Sequence, residues 1–415
     1  MTVHILTIGD ELLIGQVIDT NSAHMAQMLH EIGAKVIGKS AVADSREDIL
    51  EALAQTSKKA DAVLITGGLG PTKDDITKKV LAEYFGVGFV FHQPTLEWLN
   101  KLYERFDRVM TDSVRDQCLV LQNATVLPNK MGSAPGMWFE EKGKVFVSMP
   151  GVPFEMAYLM EHEVLPRLSH HFAASPTAYR TVLTAGEGES YIAKILTDFE
   201  EKMPPSLKLA YLPRIGQVRL RLTAAGTDEK AMLKLLNEKF DEMVGLLPSE
   251  LIAGYEDDLL ESAIGKLLKE KNLTLSTAES CTGGYLAHLI TSVPGASAYF
   301  AGSIISYSNE VKINQLNVSE ETLKQHGAVS EQTVREMVAG VLDVLKTDVA
   351  IAISGIAGPD GGTPEKPVGT VWIAVGNGSA IETRMLKLGK DRMRNIQYSA
   401  IHALNMLRLF MGKHY

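Results

Sequence analysis

Apolar residues recur along the chain with two periods, consecutive runs that close at glycine and stretches with partners three and four apart, which read as buried strands and amphipathic helices. Val3 to Ile8 is a run of the first kind and closes at Gly9-Asp10; Ala23, Met25, Ala26, Met28, Leu29 and Ile32 then follow at near-helical spacing. The same alternation predicts a strand over 35–38, a helix over 46–56, a strand over 62–66 ending at Gly67-Gly68, a helix over 75–84 and a last helix to about 168. Repeated β-α units favour a parallel sheet covered on both faces.

The pattern changes beyond residue 172. Strand-like 179–185, helix-like 191–199, alternating 208–212 and 217–223, and amphipathic 229–244 make a small β-α-β-β-α module. It would suit an RNA-binding KH-like fold, but such folds grip nucleotides with a GxxG loop, and Gly186-Glu187-Gly188-Glu189 puts carboxylates where cations are wanted. A packing or spacer role is expected. A third α/β region opens near Asp257, where Leu259, Leu260, Ala263, Ile264, Leu267 and Leu268 share a helix face. Strands follow at 274–277, 301–307, 349–353 and 368–375, then a helix over about 393–411. The expected architecture is two three-layer α/β domains, 1–172 and 253–415, joined by a small α+β KH-like connector, 173–252.

Composition narrows the partners. Across 415 residues, 41 basic against 50 acidic side chains leave a net charge of −9, which repels a phosphate backbone unless the basic residues are segregated. No nucleic-acid partner is expected. Cys118 and Cys281, the only two cysteines, cannot build a disulfide framework or a zinc site. The start, MTVHILTIGDEL, has no basic region ahead of an apolar stretch, and no apolar run approaches the ~18 residues of a membrane span, so a cytoplasmic location without membrane contact is expected.

Two loop sets carry candidate chemistry. Gly67-Gly68-Leu69-Gly70-Pro71-Thr72 lies between a buried-type strand and a helix, where glycine N–H groups can close around a phosphate, and three glycines exceed what a turn needs. Asp74 and Asp75 follow, and the strand-end pair Asp10 and Glu11 would reach the same carboxyl edge of the sheet, so the four could hold a divalent cation between protein and phosphate. Asp75 also reads as a helix N-cap. In the third region, Ser280 within Ala278-Glu279-Ser280-Cys281-Thr282-Gly283-Gly284 is either a nucleophile backed by a helix N-terminus or simply that helix's cap. With no histidine at a comparable strand end, Lys312 is the candidate base, provided burial depresses its pKa; exposed, it is a solvated helix residue. Ser354-Gly355-Ile356-Ala357-Gly358-Pro359 and the Gly389–Asn395 stretch with Arg392 and Arg394 converge by the same topology, small residues and arginines suiting a phosphate.

The segments Gly9-Asp10-Glu11-Leu12, Asp19-Thr20-Asn21, Thr66–Asp75 and Met149–Pro153 resemble the molybdopterin-binding-type domain of CinA proteins, and the third-region loops, with His326–Glu331 and Lys366–Thr370, resemble the CinA C-terminal or PncC-type domain. The resemblance covers essentially the whole chain, the middle module included. It implies a metal-dependent ADP-ribose pyrophosphatase in the first domain, using a divalent metal such as cobalt or magnesium at Asp10, Glu11, Asp74 and Asp75, with Gly67, Gly68, Gly70 and Thr72 on the substrate. The third domain it implies is a nicotinamide mononucleotide deamidase without a cofactor. There Ser280 is the nucleophile, Lys312 its base, and Tyr307 and Ser354 supporting hydrogen-bonders. Thr282, Gly283, Gly284, Asn309 and Gly355 lie on the substrate, and Arg392 or Arg394 anchors its phosphate. An oxyanion would rest on the N–H groups of the Ser280–Gly284 turn. The implied assembly is a homodimer. The rival readings are a non-catalytic competence or DNA-damage factor with a recombination or competence protein as partner, and a molybdopterin-binding first domain.

Overall fold

The structure, a computed structural model, describes residues 1–70, 75–107, 109–172 and 176–415. Its α-carbon contacts separate two compact units: one holds residues 1–178 and 225–233, the other 179–224 and 234–415.

The first unit is built on strands β1 (Thr2–Ile8), β2 (Lys35–Val42) and β3 (Ala62–Thr66), a short ribbon β4 (Phe89–Phe91) and β5 (Leu119–Leu121), and β6 (Thr125–Leu127), β7 (Gly136–Glu141) and β8 (Lys144–Met149). The main sheet runs β2-β1-β3-β8-β7-β6. Strand alternation sends Val3 and Ile5 to one face, with Met25 and Leu29, and Leu6 and Ile8 to the other, with Ile49, Leu53 and Leu81; helices cover both. The expected three layers are therefore present. The parallel pairing holds only from β2 to β8, because β7 is reversed and pairs antiparallel with both β8 and β6. The cause is local: Lys142 and Gly143 both adopt positive φ in the turn between β7 and β8, the backbone of a two-residue hairpin. Strand β2 also runs four residues beyond the expected 35–38, which matters for the site below.

The second unit joins two sheets. Strands β9 (Thr177–Ala185), β10 (Leu207–Arg214), β11 (Gln217–Ala225) and β12 (Ile252–Tyr255) pair in the order β10-β11-β9-β12. Strands β13 (Leu275–Glu279), β14 (Phe300–Ile305), β15 (Val349–Gly355), β16 (Thr370–Gly376) and β17 (Ile381–Lys387) form the other, β14-β13-β15-β16-β17. Here too one strand breaks the parallel trend: β16 is reversed and pairs antiparallel with both β15 and β17. The β17 strand was absent from the hydrophobic pattern because it is an edge of mixed polarity, Ile-Glu-Thr-Arg-Met-Leu-Lys. Leu260, Ile264, Leu286, Leu404 and Phe410 cover one face of this sheet, and Val334, Met337, Val338 and Val341 the other.

The two sheets of this unit are not separately packed. Leu183 and Ala185 of β9 belong to the same buried cluster as Leu260, Leu404 and Phe410. Arg408 of the last helix, Arg392–His414, donates to the Glu250 carbonyl at 2.5 Å and the Ile252 carbonyl at 2.8 Å. Among the described residues, no helix is long and apolar enough to cross a membrane.

Candidate functional site

Parallel strands deliver their carboxyl ends to one edge, and in the first unit that edge gathers acids. The short helix Asp10–Leu13 starts straight after β1. Because β2 runs on to Val42, Asp44 arrives beside it. The Asp10 N–H donates to Asp44 Oδ2 and the Asp44 N–H to Asp10 Oδ1, each at 3.2 Å. Burial, then the charges of Asp10, Glu11 and Asp75, hold the Asp44 carboxyl above the usual range, against a lowering hydrogen bond from Asp10. Sequence reasoning missed Asp44, since a strand closed at 38 leaves it in no particular place. Asp75 is not a helix cap: the helix Thr77–Phe85 has Ile76 at its N-cap position and no side-chain cap bond. Thr72 and Asp74, like Pro71 and Lys73, lie outside the described residues.

The glycines of the loop are required by packing, whatever they bind. A Cβ on Gly67 would collide with the Ile8 carbonyl and one on Gly68 with the Thr77 hydroxyl, both at positive φ, so close backbone packing requires these two glycines. The Gly67 N–H already donates to the Met149 carbonyl at 3.2 Å. Gly70 faces Asp75, where a Cβ would lie 2.5 Å from a carboxylate oxygen. Gly70 and Asp75 border a cavity of about 190 Å³ whose wall includes Lys78, Phe89 and Gln117. Lys78 donates to the Leu119 carbonyl at 3.0 Å, and burial pushes its pKa down to about 8. Asp19 caps the Thr20–Glu31 helix through the Ser22 N–H, and Asn21 Nδ2 reaches the Gly151 carbonyl at 2.7 Å, which ties the remaining motif segments to the same edge.

The donor set offered here, Asp10, Glu11, Asp44 and Asp75, is all carboxylate oxygen, the chemistry a hard divalent cation takes, and their mutual charge, visible on Asp44, is what such an ion would relieve. Among the described residues, no three acid, histidine or cysteine side chains form a group that could hold an ion unaided.

In the second unit, Lys312 sits on the helix Asn309–Leu316 and is 1% exposed. Its Nζ is 3.1 Å from Ser280 Oγ and 2.6 Å from the Ser306 carbonyl. Burial pushes its pKa down to about 8. Ser280 is no cap: the helix Tyr285–Thr291 begins five residues later, with Gly284 in left-handed conformation at the N-cap position. What caps that helix is Glu279, 0% exposed, whose carboxylate accepts the N–H groups of Gly284 at 3.0 Å, Leu286 at 3.1 Å and Ala287 at 2.8 Å. No feature of the sequence separated Glu279 from any polar residue at a strand end.

This narrows the expected oxyanion arrangement, because three N–H groups of the turn are already engaged. Glu279 occupies the helix N-terminus, the Ser280 N–H donates to the Ile353 carbonyl at 2.9 Å, and the Gly283 N–H to the Ser280 carbonyl at 3.1 Å. Cys281 is buried beside the serine and its thiol is pushed up to about 12, chiefly by burial.

Around the pair, Tyr307 is 64% exposed, and its hydroxyl lies 3.3 Å from Arg392 Nη2, while Arg392 Nη1 donates to the Gly358 carbonyl at 2.8 Å. Of the two arginines, Arg392 therefore has its guanidinium on the serine-side loops; the Arg394 N–H is bound by the Asp391 cap at 2.9 Å, and its side chain is exposed. Ser354 Oγ donates to the Ala328 carbonyl at 2.6 Å, leaving only acceptor capacity toward a ligand. Asn309 opens its helix and is exposed, Gly355 ends β15, and the Thr282 hydroxyl is buried with no hydrogen-bond partner.

Residues 4–170 match the family described as "Probable molybdopterin binding domain", 179–247 the "Damage-inducible protein CinA KH domain" and 257–411 the "CinA C-terminal domain". A CinA-like protein of Cytophaga hutchinsonii is 44% identical over 97% of this chain and 96% of its own, and one of Flavobacterium psychrophilum 43% over the whole of both. A solved competence-damaged protein (CinA) superfamily protein from Klebsiella pneumoniae is 37% identical, covering 36% of this chain and 94% of its own, with a TM-score of 0.35.

Proposed function

Since the chain belongs to the CinA family, we propose that it is a bifunctional hydrolase of nucleotide breakdown: a nicotinamide mononucleotide deamidase in its C-terminal region and a metal-dependent ADP-ribose pyrophosphatase in its N-terminal region. The observation that carries the first activity is the 3.1 Å contact between Ser280 Oγ and a buried Lys312 whose pKa falls to about 8. A lysine in that range is neutral often enough near pH 8 to accept a proton.

In the deamidase, Lys312 takes the Ser280 proton as Oγ attacks the carboxamide carbon. The N–H groups left for the oxyanion are those of Cys281 and Thr282. Lys312 returns the proton to the leaving nitrogen, ammonia departs, and water, activated by the same amine, frees Ser280 and releases nicotinate mononucleotide. Arg392, steadied on Tyr307 and Gly358, receives the phosphate.

In the N-terminal region, Asp10, Glu11, Asp44 and Asp75 would contribute carboxylates to a divalent cation whose remaining ligands the substrate's phosphates would supply, with Asp74 as a further candidate. When bound, such an ion polarises phosphoryl oxygens. The cavity beside Gly70 offers room for part of the nucleotide.

The decisive experiment is turnover of ADP-ribose and of nicotinamide mononucleotide by one sample, with and without a chelator. Chelation is expected to stop the first reaction and spare the second; equal loss of both refutes the division. A sample inert to both would favour a competence-related role through a protein partner.

A further inference from the structure

We propose that Glu279 is a positioning residue for the Ser280 reaction: its buried carboxylate holds the turn that aims Ser280 at Lys312. The inference rests on the deamidase reading for its substrate but on the geometry of the turn for its content.

The chain must leave β13, present Ser280, and enter the Tyr285–Thr291 helix within five residues. It does so through two successive left-handed glycines, Gly283 at φ 57° and Gly284 at φ 97°. Glycine supplies that reversal without holding it, because a residue lacking Cβ has the most conformational freedom to lose. The helix contributes no cap of its own, since Gly284 has no side chain. One carboxylate does the holding: Oε2 accepts from Gly284 and Leu286, Oε1 from Ala287 at 2.8 Å, with Ser303 Oγ at 3.4 Å on the same oxygen. Glu279 therefore grips the turn from its far end, while the Ser280 N–H is fixed on Ile353 at the near end. The serine hydroxyl is placed between two anchored points, 3.1 Å from Lys312 Nζ.

Glu279 does not act as the ion partner of Lys312. The lysine's low pKa comes from burial, offset only by Cys281. Two consequences differ between these roles. A positioning carboxylate governs the height of the rate profile; an ion partner would govern where the profile bends.

The test uses the full-length chain with Glu279→Gln and Glu279→Asp. Glutamine keeps one accepting oxygen but turns an NH2 group toward N–H donors; aspartate keeps the charge and shortens the reach. The readouts are kcat and KM for nicotinamide mononucleotide across pH, a melting curve, and the rate at which a phosphonofluoridate probe labels Ser280. Expected for Glu279→Gln is a fall in kcat of roughly a hundredfold, as for loss of a preorganised catalytic geometry, a parallel fall in labelling, little change in KM, and an unmoved bend. Glu279→Asp should fall between this and wild type.

Wild-type kcat and labelling per folded molecule in Glu279→Gln, with only a lowered melting temperature, would overturn the proposal, as would a bend displaced by a full pH unit. Should the glutamine variant fail to fold, a folded aspartate variant with wild-type labelling overturns it equally. If the wild type labels at Ser280 but releases no ammonia, the deamidase reading fails while the labelling comparison still decides Glu279. If the wild type does not label at Ser280, both fall.

Discussion

Burial of Lys312 makes a quantitative statement about pH. With a folded pKa of about 8, roughly a tenth of the molecules carry a neutral Lys312 at about pH 7 and nine-tenths at about pH 9. Ammonia release should therefore rise about tenfold over that interval and flatten above it. A lysine left in water, titrating at ~10.4, would instead drive a rise of about a hundredfold with no bend. The same shift acts on stability. The unfolded chain binds this proton below its ordinary pKa and the folded chain only below about 8, so folding loses stability as pH falls between the two and no more beneath. The drop amounts to about 3 kcal/mol for a shift of this size. Lys312→Met abolishes the titration. Its stability relative to wild type should decline by about that amount as pH is raised from about 8 to about 10.5, whatever the offset from lost hydrogen bonds to Ser306 and Ser280. The assay is denaturant unfolding of both proteins at several pH values, beside the rate profile of the wild type. A stability difference that stays flat with pH, or a rate that climbs past pH 9 without bending, would refute the reasoning and return Lys312 to solvent.

Ser280→Ala should melt close to wild type, because the serine caps nothing, and release no ammonia; Cys281→Ala should stay active, its thiol being pushed up to about 12 and unreactive. Ammonia assays with melting curves check both, and an active Ser280→Ala ends the assignment. Asp44→Asn should suppress ADP-ribose cleavage yet raise the melting temperature, since it removes a charge that burial and three neighbouring acids already penalise; a destabilised, active variant would contradict this. Gly67→Ala should destabilise the first unit by ~2 kcal/mol or more, read by denaturant midpoint, because its Cβ meets the Ile8 carbonyl at positive φ.

Strand runs such as Ala62–Thr66 and helix periods such as Arg46–Thr56 were legible because a buried run and a 3.6-residue stripe are local properties. Hairpin reversal was not read: Lys142-Gly143 and Asn377-Gly378 are ordinary turn dipeptides whose consequence, antiparallel edges on otherwise parallel sheets, lies in the pairing. In the site, Ser280 and Lys312 were found through the strand-end rule and the absence of histidine. The same rule would have found Asp44 had the alternating edge strand β2 been followed to Val42. Glu279 escaped for a deeper reason. Its role depends on where three backbone N–H groups point after a left-handed reversal, and side-chain pattern carries no record of that.

The shared cluster of Leu183, Ala185, Leu260 and Phe410 bears on how the polypeptide can be divided. Three family names in succession suggest three exchangeable cassettes. A truncation beginning near residue 253 would nevertheless strip β9 from that cluster and leave Arg408 without the Glu250 and Ile252 carbonyls, so the severed surface would be sticky and would carry a guanidinium stripped of two of its acceptors. The piece that can be excised cleanly is larger than the piece that holds the serine, and limited proteolysis should release the C-terminal region with its connector still attached.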